Sequence, residues 1–441
     1  MKNGKIFSGT SHPALAQRIA GHLSTFLSPV TVQRFPNQEI TVSFGCSVRD
    51  QNVYIIQSGS DIMNDHIVEL LIMIRAAKMS SARKVIVVMP YYPYSKQSKK
   101  KKHRGAITAK LVADMLMVSG ADHIITLDLH AYQISGFFTI PVDNLFSKPI
   151  IAGWVFNNIA DYKNAVVVAK NTGGAKRVTA LADMLGIKFA LIYVDNSHVK
   201  TFSRAPSAVA LHCLSQDDIG KNQFKAVSSK IKEHEEIYGK LAESENDDLP
   251  NIAGSDLPAL GIASEASERD LRPIDEIMNE SDDDLEDEVI SESNQSRTSP
   301  LLSHPIESND LKPLNHSETR KAKSNITLVG DVSNKLALLV DDLIDRPKSF
   351  ITVAEHLMKN CNCKGVYIFA SHGLFTEKTL TEIEECPYIQ KVIATNSYPI
   401  SQQTKSISKK LVQVDVSPLL AEAIRRNHNG ESISSLFERL S

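Results

Sequence analysis

Lys335-Leu-Ala-Leu-Leu-Val340, followed by Asp341-Asp342-Leu343-Ile344-Asp345-Arg346-Pro347-Lys348-Ser349 and then by Phe350-Ile-Thr-Val-Ala-Glu-His-Leu-Met358, decides the fold. A short, nearly all-apolar run reads as a parallel strand buried on both faces. Behind it Ile351, Val353, Ala354, Leu357 and Met358 recur at helical spacing. The stretch is therefore expected to be strand, acidic turn and helix. In an open α/β sheet a ligand sits beyond the carboxyl ends of the strands, where a helix N-terminus offers unpaired N–H groups to an anion. Three carboxylates at that edge can hold sugar hydroxyls while the turn holds a phosphate. Asp is also common in turns and at N-caps, so an acidic surface turn stays open. Against it, adjacent carboxylates repel unless a ligand, a metal or a basic partner offsets them.

Outward from this stretch the same alternation recurs. Val53–Gln57, Lys84–Met89 and His123–Leu129 read as strands, with amphipathic helices at His66–Lys78 and Ala109–Val118 between them. A second series of strands runs through Ala165–Ala169, Phe189–Tyr193, Ile326–Gly330, Leu336–Val340, Gly365–Ala370, Lys391–Thr395 and Leu411–Asp415. The expected organisation is an N-terminal α/β domain at 1–150 and a second α/β domain made of 151–200 and 326–441. Between them, 201–325 loses the strand pattern, is rich in Ser, Asp, Glu, Asn and Pro, and has too few periodic apolar positions to offset ordering entropy. It is expected to be a disordered acidic insertion that loops out between two strands of one sheet, which costs little because closure entropy grows slowly with length.

At 441 residues the chain exceeds one ordinary core, and 42% hydrophobic with 23% charged residues is the balance of a soluble globular protein. No apolar run approaches the roughly 18 residues that span a bilayer, and Met1-Lys-Asn-Gly-Lys5 leads straight into Ile6-Phe7, so no membrane partner and a cytoplasmic location are expected. Five cysteines without a CxxC pair argue against a disulfide framework or a zinc site. The net charge of -2 conceals an asymmetry: 241–310 carries 20 acidic and 3 basic residues, so the remainder is strongly basic. A basic body suits phosphorylated ligands or nucleic acid.

Three further stretches carry chemistry. Lys96-Gln97-Ser98-Lys99-Lys100-Lys101-Lys102-His103-Arg104 follows a strand and precedes a helix. It reads either as a localisation or nucleic-acid patch or, at the ligand edge of a parallel sheet, as a basic loop over a polyphosphate. Asp128 and His130 stand at i, i+2 at a strand end, which in extended backbone points both to one face, as joint contact with a metal or phosphate requires; a structural Asp and His fit the same spacing. Asn171-Thr172-Gly173-Gly174-Ala175-Lys176-Arg177 is a glycine turn at a helix start, a phosphate cradle with two basic side chains.

Together these stretches closely resemble the ribose-phosphate pyrophosphokinases, or phosphoribosyl-pyrophosphate (PRPP) synthetases. The resemblance also rests on Arg34-Phe-Pro-Asn-Gln-Glu39, Ser47-Val-Arg49, Gly136-Phe-Phe138, Pro141-Val-Asp-Asn-Leu145, Leu328-Val-Gly-Asp-Val332, His372-Gly373 and Ala421–Ser432, and covers the chain outside roughly 201–325, where it is similar to fungal members with non-homologous regions. It implies two type I phosphoribosyltransferase-like domains. It also implies transfer of the β,γ-diphosphoryl group of ATP, with Mg²⁺, to the 1-hydroxyl of ribose 5-phosphate for nucleotide biosynthesis. Residue by residue, it implies ATP contacts from Phe35, Asn37, Glu39, Lys96, Gln97, Lys100, Lys102 and Arg104. Asp341, Asp342, Asp345 and Ser349 would bind ribose phosphate, His130, Lys176 and Arg177 would serve catalysis, and Asp128, His130 and Asp143 would hold Mg²⁺.

Several positions depart from the family pattern. Arg346-Pro347-Lys348-Ser349 stands where the family has a Thr-Gly-Gly-Thr-like phosphate loop, and Pro347 removes an N–H donor. Tyr193-Val194-Asp195-Asn196 replaces a segment that carries Lys and Arg, Thr139 and Asn171 replace Asp, and Lys96 replaces Arg. Two roles follow: a catalytic synthetase, or a non-catalytic or regulatory subunit acting with paralogous PRPP synthetase subunits in a hetero-oligomer. Nucleic acid is not expected as a partner.

Overall fold

The computed structural model describes residues 2–100, 104–195 and 325–438. The expected disordered insertion therefore lies, up to residue 324, outside the described residues. In chain order the strands are β1 (Gly4–Ser8), β2 (Val30–Arg34), β3 (Ile40–Phe44), β4 (Asn52–Ile56), β5 (Lys84–Met89), β6 (His123–Leu127) and β7 (Val142–Leu145). They continue as β8 (Val166–Ala169), β9 (Lys188–Asp195), β10 (Asn325–Val329), β11 (Leu336–Ile344), β12 (Gly365–Gly373), β13 (Ile389–Thr395) and β14 (Leu411–Val414).

Five of them form one sheet in the order β1-β4-β5-β6-β7, all parallel, and β2 with β3 forms a separate hairpin. The strands are apolar on both sides because helices cover both faces. Phe7, Val53, Ile55, Val85 and Val87 face helices Met63–Met79 and Thr108–Ser119. Their strand neighbours Ile6, Tyr54, Ile56, Ile86 and Val88 face helix Pro13–His22 and helix Ser417–Asn429. This last helix, placed by its sequence position with the second domain, thus buries Leu420, Ala421, Ala423 and Ile424 against the first sheet.

The second sheet runs β10-β9-β8-β11-β12-β13-β14, parallel except for the antiparallel β9–β10 pair. One face packs on helices Lys348–Lys359 and Glu377–Glu385, the other on Lys148–Asn158 and Ala175–Leu185. Asp195 and Asn325 are directly paired across β9 and β10, so 196–324 leaves and re-enters the sheet at neighbouring positions. After β10, Gly330 takes φ +122, and a Cβ there would stand 2.7 Å from the Ala190 Cβ and 3.0 Å from its Cα; only glycine makes this return without strain.

The central stretch departs from its sequence reading in one respect. β11 does not end at Val340 but continues to Ile344, so Asp341 and Asp342 are strand residues rather than turn residues. Pairing explains this: β12 stays in register with β11 from Leu336↔Gly365 to Ile344↔Gly373, well beyond the last β8 partner at Val340↔Ala169. An unsheltered acidic turn is thereby excluded, and the two carboxylates are drawn into the protein.

Candidate active site at the end of the central strand

Asp341 and Asp342 are 9% and 3% exposed. Carboxylates that deep persist only with cationic or hydrogen-bonding partners. Arg177 supplies one: its Nη1 lies 3.1 Å from Asp341 Oδ1 and 3.2 Å from Asp342 Oδ1. Lys170 Nζ is 3.2 Å from Asp341 Oδ2, and His130 Nδ1 is hydrogen bonded to Asp342 Oδ2. Arg177 projects from the first turns of helix Ala175–Leu185. Lys170 follows β8, whose last residue pairs with Val340, so the sheet register alone sets it beside Asp341. His130 reaches in from the loop after β6 in the first sheet.

The charges follow from this arrangement. Burial and then the neighbouring Asp342 carboxylate push Asp341 above the usual carboxylate range, against Lys170 and Arg177. Burial acts in the same direction on Asp342, but Arg177 and the His130 hydrogen bond overcome it and hold Asp342 well below that range. Burial would lower His130; its bond to Asp342 and the charges of both aspartates outweigh burial and raise it. The site thus holds an ionised carboxylate on an imidazole, with a second carboxyl beside it poised near neutrality.

Around this centre, Lys96 Nζ bonds Asp345 Oδ2 at 2.5 Å, joining a residue expected on the nucleotide side to one expected on the ribose side. Ser349, in the first turn of helix Lys348–Lys359, accepts from Lys170 Nζ at 3.4 Å. Pro347 is the N-cap of that helix, without a side-chain cap bond. Lys176 is exposed, one residue from Arg177 on the same helix.

The expected Mg²⁺ set does not converge. Asp128 Oδ2 accepts from Ser147 N–H at 2.9 Å and from Ser371 Oγ–H at 2.6 Å, as well as from the Ser147 hydroxyl. Asp143 bonds His123 Nε2 at 2.7 Å on β7. Among the described residues no group of three or more His, Cys, Asp or Glu is placed to hold a metal ion. The i, i+2 reading of Asp128 and His130 assumed extended backbone, but Asp128 lies beyond β6 with φ +41, which breaks the alternation. As placed here, Asp128 and Asp143 are each engaged with protein partners rather than with one another. Mg²⁺ commonly arrives bound to substrate phosphates and keeps several waters, which needs no cage of protein ligands.

The remaining expected nucleotide residues, where described, make contacts of their own or are exposed. Phe35, Asn37 and Glu39 form the β2–β3 turn, closed by Phe35 N–H on Glu39 O at 2.9 Å and Glu39 N–H on Asn37 Oδ1 at 3.2 Å; all three are exposed, Phe35 by 49%. Gln97 accepts the Thr108 hydroxyl at 2.6 Å, at the start of helix Thr108–Ser119. Lys100 and Arg104 are exposed, and Lys102 lies outside the described residues.

Two lobes of mainly parallel sheet, with an acidic pair at the end of a central strand facing basic side chains and a helix N-terminus, define a phosphoribosyltransferase-like protein. Comparison with known proteins narrows the class. A model described as the N-terminal domain of ribose phosphate pyrophosphokinase matches residues 4–120, and one described as a phosphoribosyl synthetase-associated domain matches 255–438. Ribose-phosphate pyrophosphokinase 1 of Saccharomyces cerevisiae is 43% identical, with 100% of this chain and 99% of the relative covered. Its namesake from Schizosaccharomyces pombe is 41% identical over 100% of both. A crystal structure of phosphoribosylpyrophosphate synthetase from Mycobacterium smegmatis superposes with a TM-score of 0.65 at 25% identity, covering 97% of this chain and 99% of that one. The chain belongs to the ribose-phosphate pyrophosphokinase family.

Proposed function

We propose that this chain is a ribose-phosphate diphosphokinase subunit that moves the β,γ-diphosphoryl group of Mg-ATP to the 1-hydroxyl of ribose 5-phosphate, giving PRPP and AMP in the cytoplasm. The observation that carries it is the buried Asp341–Asp342 pair, held by Arg177 and Lys170 and met across the lobes by His130. A sugar diol can accept and donate at such carboxylates, and its approach loosens their hold on Arg177, making that cation available to a diphosphoryl group. Asp345 and Ser349 extend the sugar-phosphate side. Phe35, Asn37 and Glu39, with Lys96, Lys100, Lys102 and Arg104, supply the nucleotide side. Diphosphoryl transfer asks mainly for positioning and for neutralisation of spreading negative charge, which substrate-borne Mg²⁺ with Lys and Arg provides.

A second reading is favoured by one specific feature. At the helix expected to cradle the sugar phosphate, Pro347 is the N-cap and Lys348 the first helical residue, so a donor is missing and a side chain stands where the backbone should approach the anion. A chain so altered would act as a weakly catalytic or regulatory subunit beside a complete paralogue. Purified chain assayed with saturating Mg-ATP, ribose 5-phosphate and inorganic phosphate, alone and co-expressed with a paralogue, separates the two. Turnover alone comparable to the paralogue removes the regulatory reading; no PRPP in either arrangement removes both.

A further inference from the structure

Between the two sheets runs a seam of buried polar side chains that the reaction outlined above does not use. At its centre is His372, 2% exposed, on the last turn of pairing between β12 and β11. Its Nε2 lies 3.0 Å from Leu127 O and 3.1 Å from Asp128 O, and its Nδ1 lies 2.8 Å from Ser397 Oγ. Carbonyl oxygens only accept, so Nε2 carries the proton and donates to both carbonyls, while Nδ1 accepts from the Ser397 hydroxyl. The Tyr91 ring stands 5.0 Å away and closes the ring's flank.

The two carbonyls belong to the point where β6 ends and the backbone turns sharply. Asp128 takes φ +41, a left-handed conformation that a non-glycine residue holds only when its surroundings impose it. His372 grips its carbonyl, and Ser147 and Ser371 grip its carboxylate. Ser371 and His372 come from the second sheet, Asp128 from the end of a first-sheet strand. Two residues past this clamp is His130, which must cross to Asp342. Asp342 lies on β11, the strand paired to His372's own: Leu343 is the register partner of His372. The clamp and the acidic pair are thus carried by adjacent strands of one rigid sheet, while His130 hangs from the clamped backbone of the other.

We propose that His372 is a positioning residue for the reaction: by holding the Leu127–Asp128 carbonyls across the lobe boundary it fixes the turn that delivers His130 to Asp342. The inference rests on the assignment of His130 and Asp342 to the reacting site. It explains why an imidazole is used where a second buried polar contact would serve stability alone: it donates to one lobe's backbone and accepts from Ser397, spanning the seam in one rigid ring. A displacement of about 1 Å in a positioned group costs about 10²-fold in rate.

The test uses the full chain carrying His372→Phe, which keeps the ring and its contact with Tyr91 but has no donor, and His372→Gln, whose amide restores one. Expected is a fall in kcat of about 10²-fold in H372F with the KM for Mg-ATP within about twofold, and recovery to within about tenfold of wild type in H372Q. The double variant H130A/H372F is expected to be no slower than H130A, because the second residue acts through the first. H372F turnover within threefold of wild type overturns the proposal. So does a double variant that loses both effects in full, or a loss that Gln does not reverse. Should the wild-type chain form no PRPP, the assigned activity fails separately, and the same cycle is read in urea unfolding: non-additive losses for His130 and His372 uphold the coupling, and additive losses overturn it.

Discussion

Arg177→Met removes the cation shared by Asp341 and Asp342 while leaving an aliphatic stem in its place. The wild-type guanidinium stands 3.1 and 3.2 Å from the two carboxylates, which are almost entirely out of solvent. Removing one partner of a buried ion pair typically costs about 3–5 kcal/mol, because the other charge stays buried. Here two things soften the loss: Lys170 and His130 remain on the aspartates, and Asp341, already pushed upward, can take a proton. A destabilisation of about 2 kcal/mol at pH 7 is therefore expected, below the usual cost. Its pH dependence has a definite sign. In the variant the folded-state pKa of Asp341 lies still further above its unfolded value of about 3.9. The folded state then binds more protons than the unfolded state, and stability falls as pH rises. The deficit relative to wild type should grow as pH rises above about 6, where Asp341 titrates in the wild-type protein, by at most about 1.4 kcal/mol per pH unit. Adding Asp341→Asn should restore most of the stability and flatten the slope. Urea unfolding followed by far-UV circular dichroism from pH 5 to pH 8 measures wild type and both variants. A deficit under about 0.5 kcal/mol, a deficit that shrinks with rising pH, or no rescue by Asn would refute the view that Arg177 serves the acidic pair.

Four further outcomes are expected. His12, whose Nε2 meets Asn396 O across the lobes at 2.8 Å, is lowered by burial, so its contribution is present above about pH 6.5 and lost as pH falls through its folded value; His12→Gln should lose less stability between pH 7 and pH 5 than wild type does. Because Asp195 and Asn325 are register partners, replacing 196–324 with Asn-Gly should give a two-residue hairpin and a melting temperature within a few degrees; insoluble protein would show that the excised segment is needed by the fold. Leu420→Ala, at a fully buried position under the first sheet, should cost about 2–5 kcal/mol in denaturant unfolding, and a cost under 1 would mean that helix Ser417–Asn429 is dispensable there. Replacing Lys99, Lys100 and Arg104 by Ala should weaken Mg-ATP binding and its salt sensitivity together in titration calorimetry, whereas unchanged affinity would return the loop to the localisation reading.

The sheets were legible in the sequence because buried parallel strands are apolar on both faces and announce themselves as runs, as in Val85-Ile-Val-Val88 and Leu336–Val340. The acidic pair was legible too, since two adjacent carboxylates after such a run need partners. The partners themselves were only half legible. Arg177 follows a glycine turn that draws attention, but Lys170 owes its place to the alignment of β8 with β11, which no local pattern records. Asp128 is the opposite case: the i, i+2 rule holds for extended backbone, whereas φ here is +41 and the carboxylate accepts from two serines. His372 stood in a quoted motif, yet its contacts with Leu127 and Asp128 lie some 245 residues away in the chain and could not be inferred from neighbours. The same holds for helix Ser417–Asn429, whose apolar stripe is plain but whose host sheet is not.

That helix also bears on how the protein is made. The first sheet is complete in hydrogen bonding once β7 has formed, but the face carrying Tyr54, Ile56, Ile86 and Val88 gains its second cover only when residues 417–429 arrive. At about 5–20 residues per second, a nascent chain waits on the order of tens of seconds between those events, with an apolar surface open to other chains. The contact between His428 Nε2 and Lys2 O, at 2.8 Å, makes the closing step one of the most non-local in the molecule, and non-local closure is slow. Folding of the first lobe is therefore tied to completion of the second, and holdase chaperones have their natural opening in that interval.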